Sequence, residues 1–255
     1  MKIRLLSDLH VEFENLGPIR QGGEDLVVLA GDIHTGVLAV EWGLKTFPDI
    51  PVVLVAGNHE YFGGHFMMTL NEMRMAAADT NVHFLENDAV VVGNVRFIGA
   101  TLWTDFSLFG TPSFSLGYAQ EAMSDFSVIL DGPADAFVKL TPERTVERFH
   151  ESMAAIKRLV EEPFAGKTVV VTHHLPSPAC VDPRFKGDKC NAAFASNLDT
   201  FIEQHPQIGC WMHGHTHASV EVMVGATRVL CNPGGYPMGG KRENRRFEEE
   251  FVLQL

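Results

Sequence analysis

Basic residues are scarce in this chain, with 20 Lys and Arg against 32 Asp and Glu and a formal net charge of −12. Extended binding to DNA or RNA needs many cationic side chains to neutralise phosphates, so we expect none. A small phosphorylated partner is compatible with this charge, because bound divalent cations can create a local positive site inside an acidic protein.

Long apolar runs, linkers and repeats are also missing from the sequence. No stretch of about 18 apolar residues occurs, so we expect no transmembrane helix and no membrane association. The apolar run Ile3–Leu6 is too short for a secretory signal, and acidic residues follow it. We therefore expect a cytoplasmic protein, whose oligomeric state the sequence leaves open.

Cysteine occurs four times and never in a Cys-x-x-Cys spacing. Four reduced thiols are the expectation for a cytoplasmic chain. A disulfide between Cys180 and Cys190 is the alternative that the spacing allows.

Short apolar runs alternate with helical patterns through the first hundred residues. Runs without polar alternation are typical of strands buried on both faces. The predicted strands here are Ile3–Leu6, Leu26–Ala30, Val52–Ala56, Val82–Leu85, Ala89–Val92 and Val95–Ile98. The predicted helices are Val37–Phe47 and His65–Ala78. Gly93-Asn94 indicates a tight hairpin between the last two strands.

The second half repeats this strand and helix alternation after an aromatic segment at about 101–140, interpreted as a lid or insertion. The predicted helices are Gly117–Phe126 within that segment, Pro142–Glu161 with Thr141 as N-cap, and Ala192–His205. The predicted strands are Val169–Thr172, Ile208–Met212, Val220–Val224, Arg228–Leu230 and the tail Phe251–Leu255. This order predicts a single α/β domain over residues 1–255.

Five polar clusters directly follow predicted strands. They are Asp8-Leu9-His10, Gly31-Asp32, Gly57-Asn58-His59-Glu60, His173-His174 and Gly214-His215-Thr216-His217. Ligands of parallel α/β sheets bind beyond the carboxyl ends of the strands, so we expect the five clusters to converge on one rim.

The residue types in these clusters are typical of a metal centre. In extended backbone, residues i and i+2 point to the same side, so Asp8 and His10 should face one centre, as should His215 and His217. Imidazole and carboxylate ligands suit Zn, Fe or Mn, and no cysteine is present. The clusters supply at least seven nitrogen and oxygen donors, which is more than one tetrahedral ion binds. Two ions bridged by one carboxylate account for this number better.

These motifs, in this order, resemble the signature of the calcineurin-like metallophosphoesterases. The resemblance covers residues 8 to 217 and implies an α/β fold of four layers, α/β/β/α, with two mixed sheets between helices. It implies two divalent or trivalent metal ions (Mn, Fe or Zn). Asp8, His10, Asp32 and His217 would hold one, Asp32 would bridge, and Asn58, His173 and His215 would complete the second.

The resemblance implies hydrolysis of a phosphomonoester or phosphodiester by a metal-bridging hydroxide. His59 would contact the substrate phosphate or protonate the leaving oxygen; an eighth ligand and a structural histidine are its alternatives. The alternative function is a catalytically silent, metal-stabilised scaffold. The Gly-Asp-x-x-Asp-Arg-Gly element of the protein phosphatases is absent, which argues against a phosphoprotein substrate. Residues 215–220 lack the His-x-His-x-Asp-His motif, which argues against a metallo-β-lactamase-like enzyme.

Further polar residues near the motifs leave alternatives open. His173 is preferred to His174 as a ligand, because adjacent residues in a strand point to opposite sides. His174 and His34 are then candidates for substrate binding. The basic loop at 184–189 could contact a substrate phosphate, but we interpret it, with the Lys241–Arg246 segment, as solvated surface.

Overall fold

A computed structural model describes residues 1–14, 16 and 19–255 of the chain. Its strands are β1 (Lys2–Leu6), β2 (Leu26–Ala30), β3 (Val52–Val55), β4 (Val82–Phe84), β5 (Asp88–Val92), β6 (Val95–Ala100), β7 (Leu130–Asp131), β8 (Val138–Lys139), β9 (Lys167–Thr172), β10 (Ile208–Met212), β11 (Val220–Val224), β12 (Thr227–Cys231) and β13 (Val252–Gln254). Its α-helices are α1 (Leu38–Thr46), α2 (Phe66–Ala77), α3 (Pro112–Ala122), α4 (Asp125–Val128), α5 (Pro142–Glu161), α6 (Asn191–Phe194) and α7 (Asp199–Gln204).

Two large mixed sheets organise the described part of the chain. The first has the order β13-β1-β2-β3-β4 and the second the order β11-β12-β10-β9-β6-β5. Strands β1 to β4 run parallel, and β13 joins β1 antiparallel. In the second sheet β6, β9, β10 and β12 are parallel, while β5 and β11 close its edges antiparallel.

Alternate residues of the central strands enter two different cores. In β2, Leu26 and Val28 join Val169 and Val171 of β9 in a core between the two sheets. Val27 and Leu29 point the other way, into the core that includes helical residues. Both faces of each central strand are therefore apolar, which is why these strands read as continuous hydrophobic runs.

Helices cover the outer faces of both sheets. Helices α1 and α2 pack near β4, and Gly43 of α1 brings that helix close to Leu29 and Val52 of the first sheet. Helix α5 packs on β5 and β6 of the second sheet. The predicted four-layer α/β/β/α fold is confirmed. No helix within the described ranges is both long and apolar enough to cross a bilayer.

Two predicted helices were wrong in their extent. The helix predicted over Gly117–Phe126 overlaps two separate helices, α3, which begins at Pro112, and the short α4. Proline has a fixed φ suited to the first helical position, so Thr111-Pro112 was the start signal that the sequence analysis missed.

The helix predicted over Ala192–His205 is divided into α6 and α7. Between them, the backbone of Ser196 donates to Leu175 O at 3.1 Å, and Leu175 N donates to Phe194 O at 3.0 Å. This pairing with the loop after β9 satisfies the backbone groups of Phe194 and Ser196 that a continuous helix would otherwise pair. The helix is therefore interrupted here.

The aromatic segment at 101–140 is divided between core and surface. Trp103, Phe106 and Phe126 are buried, whereas Phe109 and Phe114 are exposed. Besides α3 and α4, the segment forms the two-stranded β7-β8 hairpin. Its possible action as a lid stays a prediction.

Candidate metal centre

Strands from both sheets deliver the predicted ligands to one place. Asp8, Asp32 and Asn58 follow β1, β2 and β3 of the first sheet, and His173 and His215 follow β9 and β10 of the second. All five strands are parallel members of their sheets, so their carboxyl ends meet at one rim. The five clusters converge there as the sequence predicts.

A first group of donor atoms contains His10, His217 and Asp8. Nε2 of His10 lies 3.0 Å from Nε2 of His217. Oδ1 of Asp8 lies 3.6 Å from Nε2 of His217. Asp8 and His10 are fully buried, and the His217 side chain is only 17% exposed.

A second group surrounds Nε2 of His173. That nitrogen lies 3.1 Å from Nδ1 of His215 and 3.2 Å from Oδ1 of Asn58. The side chains of His173 and Asn58 are buried, as is that of His215.

Asp32 connects the two groups through one oxygen. Its Oδ2 lies 3.4 Å from Nε2 of His173 and 3.8 Å from Nε2 of His10. Its other oxygen, Oδ1, accepts a hydrogen bond of 2.9 Å from the backbone of His59, which holds the carboxylate in place.

These distances fit the edges of metal coordination spheres. Ligand atoms about 2.1 Å from one ion lie roughly 3.0–3.4 Å from each other in octahedral or tetrahedral geometry. Three triads of donor atoms meet the looser criterion of mutual separations within 4.8 Å. They are Asp8-His10-His217, Asp32-His173-His215 and His10-Asp32-His59.

Hydrogen bonds on the far sides of the imidazole rings present lone pairs to the centre. Nδ1 of His173 lies 2.9 Å from Ala30 O, and Nδ1 of His217 lies 2.7 Å from Oε2 of Glu243. Because each Nδ1 faces an oxygen, it carries the proton when the ring is neutral, and Nε2 is left with a lone pair. That lone pair points at other nitrogen and oxygen atoms that are also hydrogen-bond acceptors. Such a set of converging lone pairs is stabilised only by protons or cations, so these residues fit a metal.

The local charge agrees with this reading. Burial opposes protonation of His173, but the carboxylates of Asp32 and Asp8 outweigh it and raise the pKa of His173 to about 10. Burial likewise opposes ionisation of Asp32, yet the imidazoles of His173 and His59 hold its pKa well below the usual value. The pair favours one positive charge beside the carboxylate, which a cation would also supply.

The predicted ligands are turned inward by left-handed backbone. The i, i+2 spacing had instead been interpreted as extended backbone. The φ angle is positive at Asp8, His10, Asp32, His215 and His217, between 43° and 69°. Non-glycine residues rarely adopt this region, and they do so where surrounding structure compensates the strain. Asp8 and His10 share one donor group, whereas His215 and His217 lie in different groups. The extended backbone from which their orientation was predicted was wrong.

Two glycines in the motifs are required by close packing. A Cβ at Gly57 would collide with Oδ1 of Asp32 and with the His173 ring. A Cβ at Gly214 would lie 2.6 Å from Ala30 O and 2.9 Å from Oδ2 of Asp8. Any larger residue at either position would displace a predicted ligand.

His59 occupies a wall of the first group. Its Nδ1 lies 2.9 Å from Oε1 of Glu12, its Nε2 lies 3.3 Å from the phenol oxygen of Tyr236, and its ring stacks on Phe62 with centroids 4.1 Å apart. Burial opposes its charge, but the carboxylates of Asp32 and Glu12 raise the pKa of His59 to about 9. A protonated imidazole in this position can donate a hydrogen bond to an oxyanion.

His174 is buried beside the second group without joining it. Its ring lies 4.4 Å from that of His215 and 5.0 Å from that of Trp103, and its Nδ1 is 3.2 Å from Thr101 O. Burial, with the charge of His173, lowers the pKa of His174 to about 3, so its ring is neutral.

His34 lies apart from both groups of donor atoms. Its Nδ1 accepts a hydrogen bond of 2.7 Å from the backbone of Thr35. Burial lowers the pKa of His34. His34 belongs to none of the donor triads, and its predicted contact with substrate stays a prediction.

Several acidic residues that the sequence analysis did not assign hold the centre together. Glu60 accepts backbone hydrogen bonds from Asp32 at 2.9 Å, Ile33 at 2.8 Å and Gly57 at 2.6 Å. Glu12 lies within hydrogen-bond distance of both His10 and His59. Burial raises the pKa of Asp125 to about 6, against the lowering effect of a hydrogen bond from Asn58. Only Glu60 had a signal in the sequence, since it directly follows the Asn58-His59 pair.

The Lys241–Arg246 segment is not merely solvated surface, contrary to its interpretation from the sequence. Arg242 donates to Leu9 O at 2.7 Å, and the buried Asn244 donates to Pro233 O at 2.7 Å. With the hydrogen bond from His217 to Glu243, these contacts fold the segment over the first group of donor atoms.

All four cysteine side chains are free thiols, including Cys180 and Cys190. Three are buried, and Cys190 is partly exposed. None belongs to the donor groups described above.

Comparisons with known proteins agree with the fold and the motifs. The chain is 24% identical over 264 residues to an uncharacterized protein of Acanthamoeba polyphaga mimivirus, a match covering 92% of this chain and 91% of that protein. Its structure is similar to that of a phosphopantetheinyl hydrolase from Mycobacterium tuberculosis, with a TM-score of 0.70, 18% sequence identity and coverage of 92% of this chain and 90% of the other.

The sequence model of the calcineurin-like phosphoesterases matches residues 1–219, which include every predicted ligand. Members of this family are metal-dependent, and the His and Asp groups of this chain could bind metal. The chain belongs to the calcineurin-like phosphoesterase family.

Proposed function

We propose that this phosphoesterase hydrolyses a small phosphate ester at a centre of two metal ions bridged by Asp32. The observation that supports two sites is the position of Oδ2 of Asp32, 3.4 Å from His173 and 3.8 Å from His10. Asp8, His10 and His217 would hold one ion. Asn58, His173 and His215 would hold the other.

The proposed ions would supply an activated water nucleophile and neutralise charge on the phosphate oxygens. Asp8 and Asp32 offset only half of the charge of two divalent cations, so the centre would be positive inside an acidic protein. Asn58 contributes an uncharged ligand, which leaves that positive charge in place.

His59 would serve the leaving group. Glu12 accepts from Nδ1 and so fixes the orientation of the ring, with Nε2 beside the phenol oxygen of Tyr236. The hydrogen bond and the charge of Glu12 both raise the pKa of His59 and so favour a protonated imidazole. Nε2 can then donate its proton to the oxygen that departs from phosphorus.

The ester class, monoester or diester, is the finer part of this proposal. A test panel should contain 4-nitrophenyl phosphate, bis(4-nitrophenyl) phosphate and, because the structural neighbour is a phosphopantetheinyl hydrolase, a phosphopantetheine ester. Purified protein should be analysed for Mn, Fe and Zn by mass spectrometry before and after chelation. We expect two ions per chain and turnover of at least one ester.

Asp32→Asn tests the bridging role directly. The substitution keeps the side-chain size but removes the charge shared by both groups, so we expect at least a 100-fold loss of kcat and fewer bound ions. Asp49→Asn, at an exposed loop position, is the matched control. Two bound ions with no turnover of any ester would favour the scaffold alternative, and full activity in folded Asp32→Asn would refute the bridge.

A further inference from the structure

A groove of about 560 Å³ opens beside the first group of donor atoms. Its walls come from three separate segments, at 179–184, 218–222 and 243–246. This volume lies in the range of pockets that bind small molecules. Neither Asp32 nor His59 lines the groove, so the catalytic steps assigned to them do not account for it.

The groove is contiguous with the metal centre. Ala218, which lines it, directly follows His217, and Glu243, which also lines it, accepts the hydrogen bond from Nδ1 of His217 at 2.7 Å. Since Nε2 of His217 faces the donor group and Nδ1 faces Glu243, the His217 ring lies between the groove and the metal centre. A substrate whose phosphate lies at the donor groups would reach the groove by passing over His217.

Three arginines line the groove: Arg184, Arg245 and Arg246. Nε and Nη2 of Arg184 both donate to Oδ2 of Asp182, at 3.0 and 2.8 Å. The guanidinium groups of Arg245 and Arg246 have no hydrogen-bond or ion-pair partner within the described parts of the chain. The planar guanidinium group can donate two hydrogen bonds at once to the oxygens of a carboxylate or a phosphate.

The acidic residues of the groove are already engaged. Glu221 pairs with Arg228 at 2.8 Å, Asp182 with Arg184 and Glu243 with His217. Hydrogen bonds from Arg184 and the charge of Arg246 lower the pKa of Asp182, so both guanidinium groups lie near one carboxylate. The unmatched charge in the groove is consequently positive, although the chain as a whole is acidic.

We propose that this groove binds a second anionic group of the substrate, a carboxylate or phosphate at some distance from the phosphate that is hydrolysed. The inference rests on the proposed phosphoesterase function and adds the substrate class: an elongated ester with an anion at each end. Arg245 and Arg246, whose guanidinium groups have no partner in the described residues, are the residues that recognise the distal anion.

Matched pairs of synthetic esters test the groove. For diesters, 4-nitrophenyl alkyl phosphates are compared with 4-nitrophenyl ω-carboxyalkyl phosphates of three to seven carbons. For monoesters, alkyl phosphates are compared with α,ω-alkanediol bisphosphates. The pair is taken from whichever class the wild type hydrolyses. We expect kcat/KM to be about tenfold higher for the ester with the distal anion at one preferred length, and the preference to shrink in high salt.

The double variant Arg245→Ala/Arg246→Ala should reduce this preference to near unity. The backbone of Arg246 accepts from Ser219 and donates to Asn244, and truncating its side chain leaves those contacts in place. Lys157→Ala/Arg158→Ala on helix α5 removes the same charge at exposed positions and should keep the full preference. Arg246→Lys should retain part of it.

The outcomes separate the groove from the phosphoesterase function. Turnover with no preference for the distal anion at any length overturns the groove while the phosphoesterase function stands. A preference that the double arginine variant leaves unchanged also overturns it. Metal-loaded protein that hydrolyses neither class contradicts both proposals.

Discussion

The phenol oxygen of Tyr236 lies 3.3 Å from Nε2 of His59, the nitrogen proposed to donate a proton to the leaving oxygen. Tyr236 also packs its ring on His10, with centroids 4.4 Å apart, and on His217, at 4.7 Å. It belongs to the chain beyond residue 219, outside the part that matches the family. This contact therefore joins a family motif to a part of the chain outside that match.

Tyr236→Phe should lower kcat about tenfold while leaving the bound metal unchanged, because the ring remains on both imidazoles and only the hydroxyl partner of His59 is lost. Steady-state kinetics and metal analysis check this, with Tyr118→Phe on helix α3 as the control. Equal kcat in Tyr236→Phe and wild type would show that the hydroxyl has no role in turnover.

The choice between two adjacent histidines can be made by metal content. His173→Asn should lose about one ion per chain, because Nε2 of His173 is central to the second group of donors. His174→Asn should retain two ions, because its Nδ1 is engaged with Thr101 O. Mass spectrometry of the two purified variants measures this. The reverse result would exchange their roles.

Gly57→Ala should lower activity at least 100-fold, since the added methyl group would push against Asp32 and the His173 ring. Gly117→Ala on helix α3 is the matched control, because a Cβ there has no neighbour within 4 Å. Alanine in a helix interior should stabilise that variant by about 1 kcal/mol. Kinetics and urea denaturation of both variants give the comparison, and wild-type activity in Gly57→Ala would contradict the packing argument.

Glu86 should make stability depend on pH away from the metal centre. Its carboxylate accepts hydrogen bonds from the backbone and hydroxyl of Thr101, and burial raises its pKa from 4.5 to about 7. The folded state thus keeps a proton that the unfolded state releases between these values. The free energy of unfolding should fall as pH rises from 4.5 to 7 and then level.

Glu86→Gln removes this titration and should be more stable than wild type at pH 8, by at most about 3 kcal/mol. Urea denaturation at several pH values, with a chelator present, compares the two proteins. Glu72→Gln, at an exposed position on α2, is the control. A constant difference between Glu86→Gln and wild type across this pH range would show that Glu86 does not titrate there.

Much of the fold was predictable because buried parallel strands need apolar residues on both faces. The runs at Leu26–Ala30 and Val169–Thr172 therefore indicated strands directly. The break between α6 and α7 was not predictable, because it depends on backbone pairing with Leu175, about twenty residues earlier. The start of α3 was indicated by Thr111-Pro112 and overlooked.

The sequence by itself determined which side chains could form the centre, because each follows a buried strand and the ends of parallel strands share one rim. Tertiary structure decided how they face one another. Left-handed backbone at Asp8 and His217 depends on the packing around them. Tyr236 reaches His59 only because the C-terminal segment folds over the site, and no local pattern encodes a contact between residues 177 positions apart.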